Sequence, residues 1–409
     1  MLAEVIAIGD ELTSGQRLDT NSQWISQQLG EVGVRVLYHS TCGDDLDGCT
    51  QVFQTALQRA DLVIATGGLG PTADDLTRQA ISQAAGLDLV LDEDSLEHIR
   101  SMFASRGRTM PEQNSIQAMF PTGSTIIPNP HGTAPGIDLL FPRTGQEASR
   151  LFALPGVPAE MKQMWTETVS PRIKNMKGTS DQIIRHYQLK CFGLGESDLE
   201  SRLPDLIRRG RSPSVGITVH QGTITLRITA TGADEAECRQ QMQPTINTIH
   251  DCLGDIVFGD EDDELEHAVD QLLQADRQTL AVYEAGTGGM ITHWFGEMQP
   301  ATPHFLGGIV GLDRTSAERI LDLALPATLS SEDATRALAQ AVRNKYQADI
   351  GLAISPFPRP GQDNGHFYVA LSADAETRCQ SFLFAGHPDI LKPLAAKRAL
   401  NFLRLQLKK

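Results

Sequence analysis

Aromatic residues make up only 5% of this 409-residue sequence. Its cores must therefore be built mainly from Ala, Leu, Ile and Val. Long apolar runs are missing as well: no stretch approaches the ~20 residues that a membrane-spanning helix needs. Met1-Leu2-Ala3-Glu4-Val5-Ile6-Ala7-Ile8-Gly9-Asp10 has no basic leader, and an acidic residue interrupts its short apolar run, so it is not expected to be a secretion signal. Cysteine is sparse and scattered (Cys42, Cys49, Cys191, Cys238, Cys252 and Cys379) with no CxxC pair. Neither a zinc site nor a disulfide framework is expected from that spacing, and reduced thiols in the cytoplasm are. Positive charge is in deficit, with 35 Lys and Arg against 51 Asp and Glu and a formal net charge of −16. No Lys/Arg-rich run offsets it locally. Such a surface repels phosphate backbones and anionic lipid, so neither nucleic acid nor a membrane is an expected partner.

What is present reads as an ordinary globular chain, 40% apolar and 21% charged, long enough for two or three domains. Val5-Ile6-Ala7-Ile8 has the character of a buried strand, and a helix is expected from Thr20-Asn21 through Trp24, Ile25 and Leu29. Val34 to Leu37 reads as a second strand, Cys49 to Ala60 as a second helix, Leu62 to Ala65 as a third strand, and Asp75 to Ala85 as a third helix. This alternation predicts an α/β domain with parallel strands and helices on both faces, where ligands bind at the carboxyl ends of the strands. After Pro171 a basic, polar stretch (Arg172 to Gly178) leads to a strand over Ile183 to Phe192, a helix over Glu196 to Leu203, and a period-two strand over Gly222 to Ala230. That suggests a small α+β module. The acidic run Asp260 to Glu264 reads as a solvated linker, a helix start or, less simply, a metal site. Helices and strands alternate again from Leu265 onward. Domain boundaries are accordingly expected at 1–172, 173–258 and 259–409.

The chemistry concentrates where the third strand runs into Thr66-Gly67-Gly68-Leu69-Gly70-Pro71-Thr72-Ala73-Asp74-Asp75. Gly67, Gly68 and Gly70 allow backbone N–H groups close to a ligand, and a helix start after them favours phosphate. Asp74 and Asp75 do not suit an anion pocket taken alone. They make sense either as ligands of a divalent cation that also binds phosphate oxygens or as simple helix caps.

The run TGGLGPTADDLTR resembles the N-terminal domain of the CinA family, together with GDELTSGQRLDTN (Gly9 to Asn21), NPHGTAPG (Asn129 to Gly136) and LPGVPAEM (Leu154 to Met161). FGLGESDLESRL (Phe192 to Leu203) is similar to the small central domain of the same family, and the likeness covers essentially the whole chain. It implies a molybdopterin-binding-type three-layer α/β/α fold for the first domain and a CinA-type α/β domain at the C-terminal end. The activity it implies is metal-dependent hydrolysis of ADP-ribose to AMP and ribose 5-phosphate, with Mg2+, Mn2+ or Co2+ as cofactor and a homodimer as the assembly. Carried onto this sequence, Asp74, Asp75 and Asp44 would hold the metal, with Glu11 nearby. Gly67, Gly68, Gly70 and Thr72 would hold phosphate oxygens. Gly9, Glu11, Asn21 and the Gly132-Thr133-Ala134 turn would contact the rest of the nucleotide. Glu160 is either a general base or a solvated first-turn glutamate, and Pro155, Gly156 and Pro158 are expected to shape a turn beside the pocket.

The C-terminal segment departs from its family. There the AESCTGG-like run, with a serine nucleophile for nicotinamide mononucleotide amidohydrolysis, reads Val282-Tyr283-Glu284-Ala285-Gly286-Thr287-Gly288-Gly289. The methyl group of Ala285 cannot attack an amide. Leu312-Asp313 stands where the family has a tyrosine-serine pair, and Ile354-Ser355-Pro356-Phe357-Pro358-Arg359-Pro360 replaces a glycine loop, with prolines removing backbone donors. Loss of amidohydrolase activity is therefore expected, with rescue by a nearby hydroxyl, Thr287 or Ser355, as the alternative. Two other readings of the chain stay open: a non-catalytic nucleotide-binding scaffold, and a molybdopterin-processing relative, since pterin enzymes share the fold. His131 is either a ligand contact or an exposed turn residue, His293, His304 and His366 lack metal-ligand spacing, and Trp24, Trp165 and Trp294 belong to helical patterns.

Overall fold

Leu2–Ile8, whose last six residues are all buried, forms the inner strand β1 of a six-stranded sheet in the computed structural model of this protein. The structure describes residues 1–176, 182–311, 313–358, 365–373 and 376–409. The chain divides into two units, Met1–Arg185 with Ala230–Gln241, and His186–Thr229 with Met242–Lys409.

In the first unit β1 is followed by α1 (Asp10–Thr13), α2 (Thr20–Glu31), β2 (Arg35–Cys42), α3 (Leu46–Arg59), β3 (Leu62–Thr66) and α4 (Thr77–Ala85). A two-stranded ribbon, β4 (Leu89–Leu91) with β5 (Met119–Pro121), flanks α5 (Glu93–Ser105). The sheet is completed by β6 (Thr125–Ile127), β7 (Gly136–Phe141) and β8 (Ser149–Leu154), after which α6 (Pro158–Met164) and α7 (Ser170–Lys174) close the unit. The strand order is β2-β1-β3-β8-β7-β6, parallel from β2 to β8 and antiparallel beyond it.

Side chains alternate across each parallel strand, and the two faces bury different helices. Val5, Ile64 and Phe152 meet Ile25 and Leu29 of α2, Met161 and Met164 of α6, and Trp165. Ile6, Val63 and Leu151 meet Phe53 and Leu57 of α3 and Ile81 of α4. Both cores are mainly aliphatic, as the scarcity of aromatics requires, with Phe53, Phe152 and Trp165 among them, and each fully buried Leu or Phe is worth roughly 1.5–3 kcal/mol. The result is the three-layer α/β/α arrangement expected from the sequence.

Three local differences from the sequence reading have physical causes. Strand β2 extends to Cys42 yet stays mostly exposed, because it is the sheet edge. Helix α3 begins at Leu46, three residues before the expected Cys49, because Asp45 accepts the Gly48 N–H at 2.7 Å and caps it there. Helix α4 begins at Thr77 and not at Asp75, whose carboxylate is turned back into the preceding loop.

The middle segment carries β9 (Ile183–Cys191), α8 (Glu196–Arg202), β10 (Ser214–His220), β11 (Thr223–Gly232), α9 (Glu235–Leu253) and β12 (Val257–Asp260), in the sheet order β10-β11-β9-β12. The acidic run ends as a helix start: the Glu264 N–H donates to His267 Nδ1 at 3.0 Å as α10 (Leu265–Asp276) begins. Then follow β13 (Leu280–Glu284), α11 (Met290–Glu297), β14 (Phe305–Val310), α12 (Arg314–Leu321), α13 (Ser331–Tyr346), β15 (Ile350–Ile354), β16 (His366–Ala373), β17 (Glu376–Leu383) and α14 (Pro388–Leu407). Their sheet, β14-β13-β15-β16-β17, is parallel across β14, β13 and β15 and antiparallel beyond. Among the described residues no helix is long and apolar enough to cross a membrane, and all six cysteines are free thiols.

Candidate functional site

Strand β3 is buried along its whole length and delivers the chain to the glycine loop at the carboxyl end of the sheet. Gly67 sits at φ +109°, where a Cβ would lie 2.2 Å from the Ile8 carbonyl oxygen, so only glycine lets the loop cross the end of β1. The Gly67 N–H donates to the Leu154 carbonyl, and the loop is pinned from below by Thr77, whose N–H donates to Gly68 O and whose hydroxyl donates to Gly67 O at 2.8 Å. Asp75 closes the far side. Its Oδ1 accepts from the Gly70 N–H at 2.8 Å and its Oδ2 from the Thr72 N–H at 2.9 Å and from the Thr72 hydroxyl. Among the described residues no group accepts from the N–H of Gly68 or Leu69. Two backbone donors are thus left over at the tip of a rigid turn.

These donors border a cavity of about 580 Å3. Besides the loop, its wall includes Gly9 and Glu11 after β1, Asp44 after β2, Thr133 and Ala134, and the turn from Pro155 to Glu160 that starts α6. The parallel strands β2, β1, β3 and β8 contribute at their carboxyl ends, which their pairing aligns, and the antiparallel β7 at its amino end. Five carboxylates line the cavity (Glu11, Asp44, Asp74, Asp75 and Glu160) against one cation, Arg17. Asp44 and Asp10 cap one another, each carboxylate accepting the other's N–H at 3.0 Å. Burial holds the Asp44 carboxyl above its ordinary pKa, and repulsion from Asp10, Asp74 and Glu11 adds to it. Asp74 is fully exposed, and the neighbouring Thr72 hydroxyl holds its carboxyl below the usual range.

That charge pattern fits a divalent cation in kind: hard oxygen donors gathered at one cavity, with little positive charge of the protein's own nearby. Among the described residues no three His, Cys, Asp or Glu side chains converge on one point. A cation here would therefore take one or two carboxylates and fill its remaining positions from ligand phosphates and water, as Mg2+ commonly does.

Asn129 organises the opposite wall. Its Oδ1 accepts the Gly132 N–H at 2.9 Å, while its Nδ2 donates to Ala134 O at 3.0 Å and to Glu160 Oε2 at 2.7 Å. Gly132 is required by this packing, since a Cβ there would lie 2.1 Å from Glu160 Oε2. Glu160 keeps Oε1 for the cavity. Three expected site residues serve the frame and not the cavity wall: Thr72 and Gly132, held as described, and Asn21. Asn21 lies in an adjoining hollow, donating to Gly156 O at 2.9 Å and Thr66 Oγ1 at 3.2 Å, which fastens β3 to the turn before α6. Pro155 and Gly156 lend their carbonyls to Thr66 and Asn21, and Pro158 starts α6. His131 is exposed.

Sequence reasoning missed Arg17, Gln117 and Asn129 as site residues. Arg17 sits in GDELTSGQRLDTN, already quoted for its likeness, and as the lone basic residue of that run it could have been found. Gln117 lies in a short 3-10 turn, buried, with Oε1 accepting from Asn114 Nδ2 at 2.9 Å, so its amide nitrogen is the group that remains for a ligand. No local pattern signals it.

The turn after β13 has the same strand-turn-helix form and a different interior. Glu284 is fully buried; its Oε2 accepts from the Thr287 hydroxyl at 2.6 Å and the Ile291 N–H at 3.0 Å, its Oε1 from the Thr292 N–H at 2.8 Å and the Thr292 hydroxyl at 2.7 Å. The N–H groups of Ala285 and Gly286 donate to the carbonyls of Ile354 and Ser355. Phe357 lies over Gly286 so closely that a Cβ there would be 2.5 Å from the ring, and Phe357 stacks on Phe384 at 4.3 Å. The Ser355 hydroxyl donates to Pro356 O at 2.9 Å and accepts from the Tyr368 N–H. Of the other departures, Asp313 caps α12 through the Ser316 N–H at 2.7 Å, whereas Leu312 and Arg359-Pro360 lie outside the described residues.

Against known proteins, residues 4–175 match the family described as a probable molybdopterin binding domain. Residues 186–259 match the damage-inducible protein CinA KH domain, and residues 262–407 the CinA C-terminal domain. Relatives carrying the name competence-damage inducible protein in Bacillus velezensis and Bacillus subtilis are each 33% identical over 410 residues, covering 98% of this chain and 97% of theirs. A crystal structure of the protein CinA from Thermoplasma acidophilum is 35% identical, covers 42% of this chain and 97% of its own, and superimposes with a TM-score of 0.38.

Proposed function

The chain belongs to the CinA family, and from that premise we propose that its first unit hydrolyses the pyrophosphate bond of ADP-ribose or a closely related nucleotide. The observation that carries the reading is the pair of unspent N–H donors at Gly68 and Leu69, facing a cavity whose carboxylates outnumber its single arginine five to one. Backbone donors of this kind cradle phosphate oxygens, and the surplus of carboxylates is compatible with an anionic ligand only if a cation accompanies it. A divalent cation held by Asp74 and Asp44, with Glu11 beside them, would neutralise diphosphate charge and acidify a water. Arg17, which lines the cavity, would meet a non-bridging oxygen of the diphosphate, and the Gln117 amide nitrogen a hydroxyl or ring acceptor of the nucleoside. Glu160, steadied at Oε2 by Asn129, has Oε1 free to accept a proton from the attacking water. The water oxygen bonds to phosphorus as the bridging P–O bond breaks, so that ADP-ribose and water give AMP and ribose 5-phosphate. The test is AMP release from ADP-ribose by the full-length protein with Mg2+, Mn2+ or Co2+. Binding of ADP-ribose with no AMP under any of these metals would leave a nucleotide-binding scaffold in place of an enzyme.

A second reading, a pterin ligand in the same cavity, draws support from the molybdopterin-type match over residues 4–175. A pterin retained through purification, seen by fluorescence, would favour it.

For the C-terminal domain we propose that amidohydrolase activity has been lost. Ala285 supplies no nucleophile, the hydroxyls of Thr287 and Ser355 are committed to Glu284 and Pro356, and the Ala285 and Gly286 N–H groups, paired to carbonyls, are not available to an oxyanion. Ammonia release from nicotinamide mononucleotide would refute this.

A further inference from the structure

Arg78 stands in the first turn of α4, directly behind the glycine loop, and is 1% exposed. Only one of its guanidinium nitrogens makes a hydrogen bond: Nη1 donates to the Gly70 carbonyl at 3.4 Å, while Nε and Nη2 have no partner among the described residues. Asp75 is close enough to act on its charge, yet both Asp75 oxygens are spent on the N–H groups of Gly70 and Thr72 and on the Thr72 hydroxyl. The other buried arginine of this unit shows what a finished site looks like. Arg143 directs Nε to Glu147 O at 2.6 Å, Nη1 to Ala60 O at 3.2 Å and Nη2 to Asp61 Oδ1 at 2.9 Å. A fully buried guanidinium with two idle donors and no direct ion pair is costly, and in this unit the fold carries that cost at the back of the loop whose front bears the two unspent N–H groups.

We propose that Arg78 is the built-in counter-charge of the diphosphate: a buried cation that no carboxylate hydrogen-bonds, drawing an anion to the loop's open face. The inference rests on reading the cavity as a diphosphate site and deepens that reading. Arg78 acts through the Gly70 backbone and touches no reacting atom, which makes it a positioning residue. It also resolves the charge problem of the cavity. The carboxylates hold the cation, whereas the attraction for phosphate comes from behind the loop, across dry protein where a charge is screened little by salt.

A purely structural arginine makes the opposite prediction, so the two can be separated. Arg78→Met keeps the apolar stem and removes the charge; Arg78→Lys keeps the charge. Full-length proteins would be compared by thermal melting without ligand and by calorimetric titration with inorganic pyrophosphate, with and without Mg2+. The expected result is that Arg78→Met melts at or above the wild-type temperature but binds pyrophosphate about tenfold or more weakly, while Arg78→Lys restores binding to within about threefold. Unchanged pyrophosphate affinity in Arg78→Met would overturn the inference, as would a lowered melting temperature with weakened binding that Arg78→Lys fails to rescue. If the wild-type protein itself does not bind pyrophosphate, the diphosphate reading falls, and this inference with it.

Discussion

The turns after β3 and after β13 are built alike, each a glycine-rich bend between the carboxyl end of a central parallel strand and a helix, and they differ in who uses their backbone donors. After β3, the Gly70 and Thr72 N–H groups close the loop on Asp75, and those of Gly68 and Leu69 remain unspent beside a 580 Å3 cavity. After β13, a buried carboxylate takes the Ile291 and Thr292 N–H groups, neighbouring carbonyls take those of Ala285 and Gly286, and Phe357 packs over Gly286, while among the described residues the N–H groups of Thr287, Gly288 and Gly289 have no acceptor. A glycine turn is therefore a ligand site only to the extent that the rest of the fold leaves its donors alone. Hydrogen-bond accounting separates the second residues of the two turns, Gly286 paired to Ser355 O and Gly68 without an acceptor among the described residues, where composition does not.

The largest expected effect tests the open turn. Asp74→Ala should lower metal-dependent AMP release roughly 100-fold or more, in the range seen when an essential electrostatic group is removed, with little change in melting temperature because Asp74 is fully exposed. Steady-state assays beside melting curves check this; a large drop in stability would assign Asp74 to the frame.

The closed turn should respond the other way. Glu284→Ala strands two hydroxyls and two N–H groups in the interior, at a cost of about 3 kcal/mol, visible in chemical denaturation. ADP-ribose hydrolysis at permissive temperature should be unaffected. If AMP release fell in parallel, the independence of the two turns would be refuted.

A smaller effect concerns Glu266, which is buried with Oε2 unpartnered and whose carboxyl is pushed up by burial. An acid whose pKa is raised on folding contributes stability below its unfolded pKa and loses it as pH rises through the folded value. Glu266→Gln should therefore raise the melting temperature by about 2–4 °C, corresponding to about 1 kcal/mol, near pH 8, and the gain should vanish near pH 4. Melts across that range settle the sign.

The smallest effect expected is none. Ala285→Ser returns a hydroxyl to the closed turn but frees no N–H donor and does not move Phe357, so nicotinamide mononucleotide should still yield no ammonia. Measurable ammonia would show that the closed turn lacks only its nucleophile.

Much of this was legible in the residues. The strands β1 and β3 and the helix α2 follow from apolar runs and their periods, and the two cores follow from alternation across β1, β3 and β8. The position of the glycine loop at a strand's carboxyl end was equally plain. Local capping decided less predictably: nothing in the spacing says that Asp45 starts α3 early, or that Asp75 would serve the loop and not the helix. Gln117 and Asn129 come to the cavity from segments with no periodic signature at all.

The sequence by itself determined the layered fold, the family, the glycine loop and the absence of a nucleophile at position 285, because each of these is carried by residue type or by short-range period. Only the tertiary structure decided which N–H groups stay unspent, which carboxylates crowd Asp44, and that Arg78 lies behind the loop with Nε and Nη2 lacking a partner among the described residues. Those are properties of pairing between segments tens of residues apart, and whether a donor has a partner depends on which distant chain the fold brings beside it.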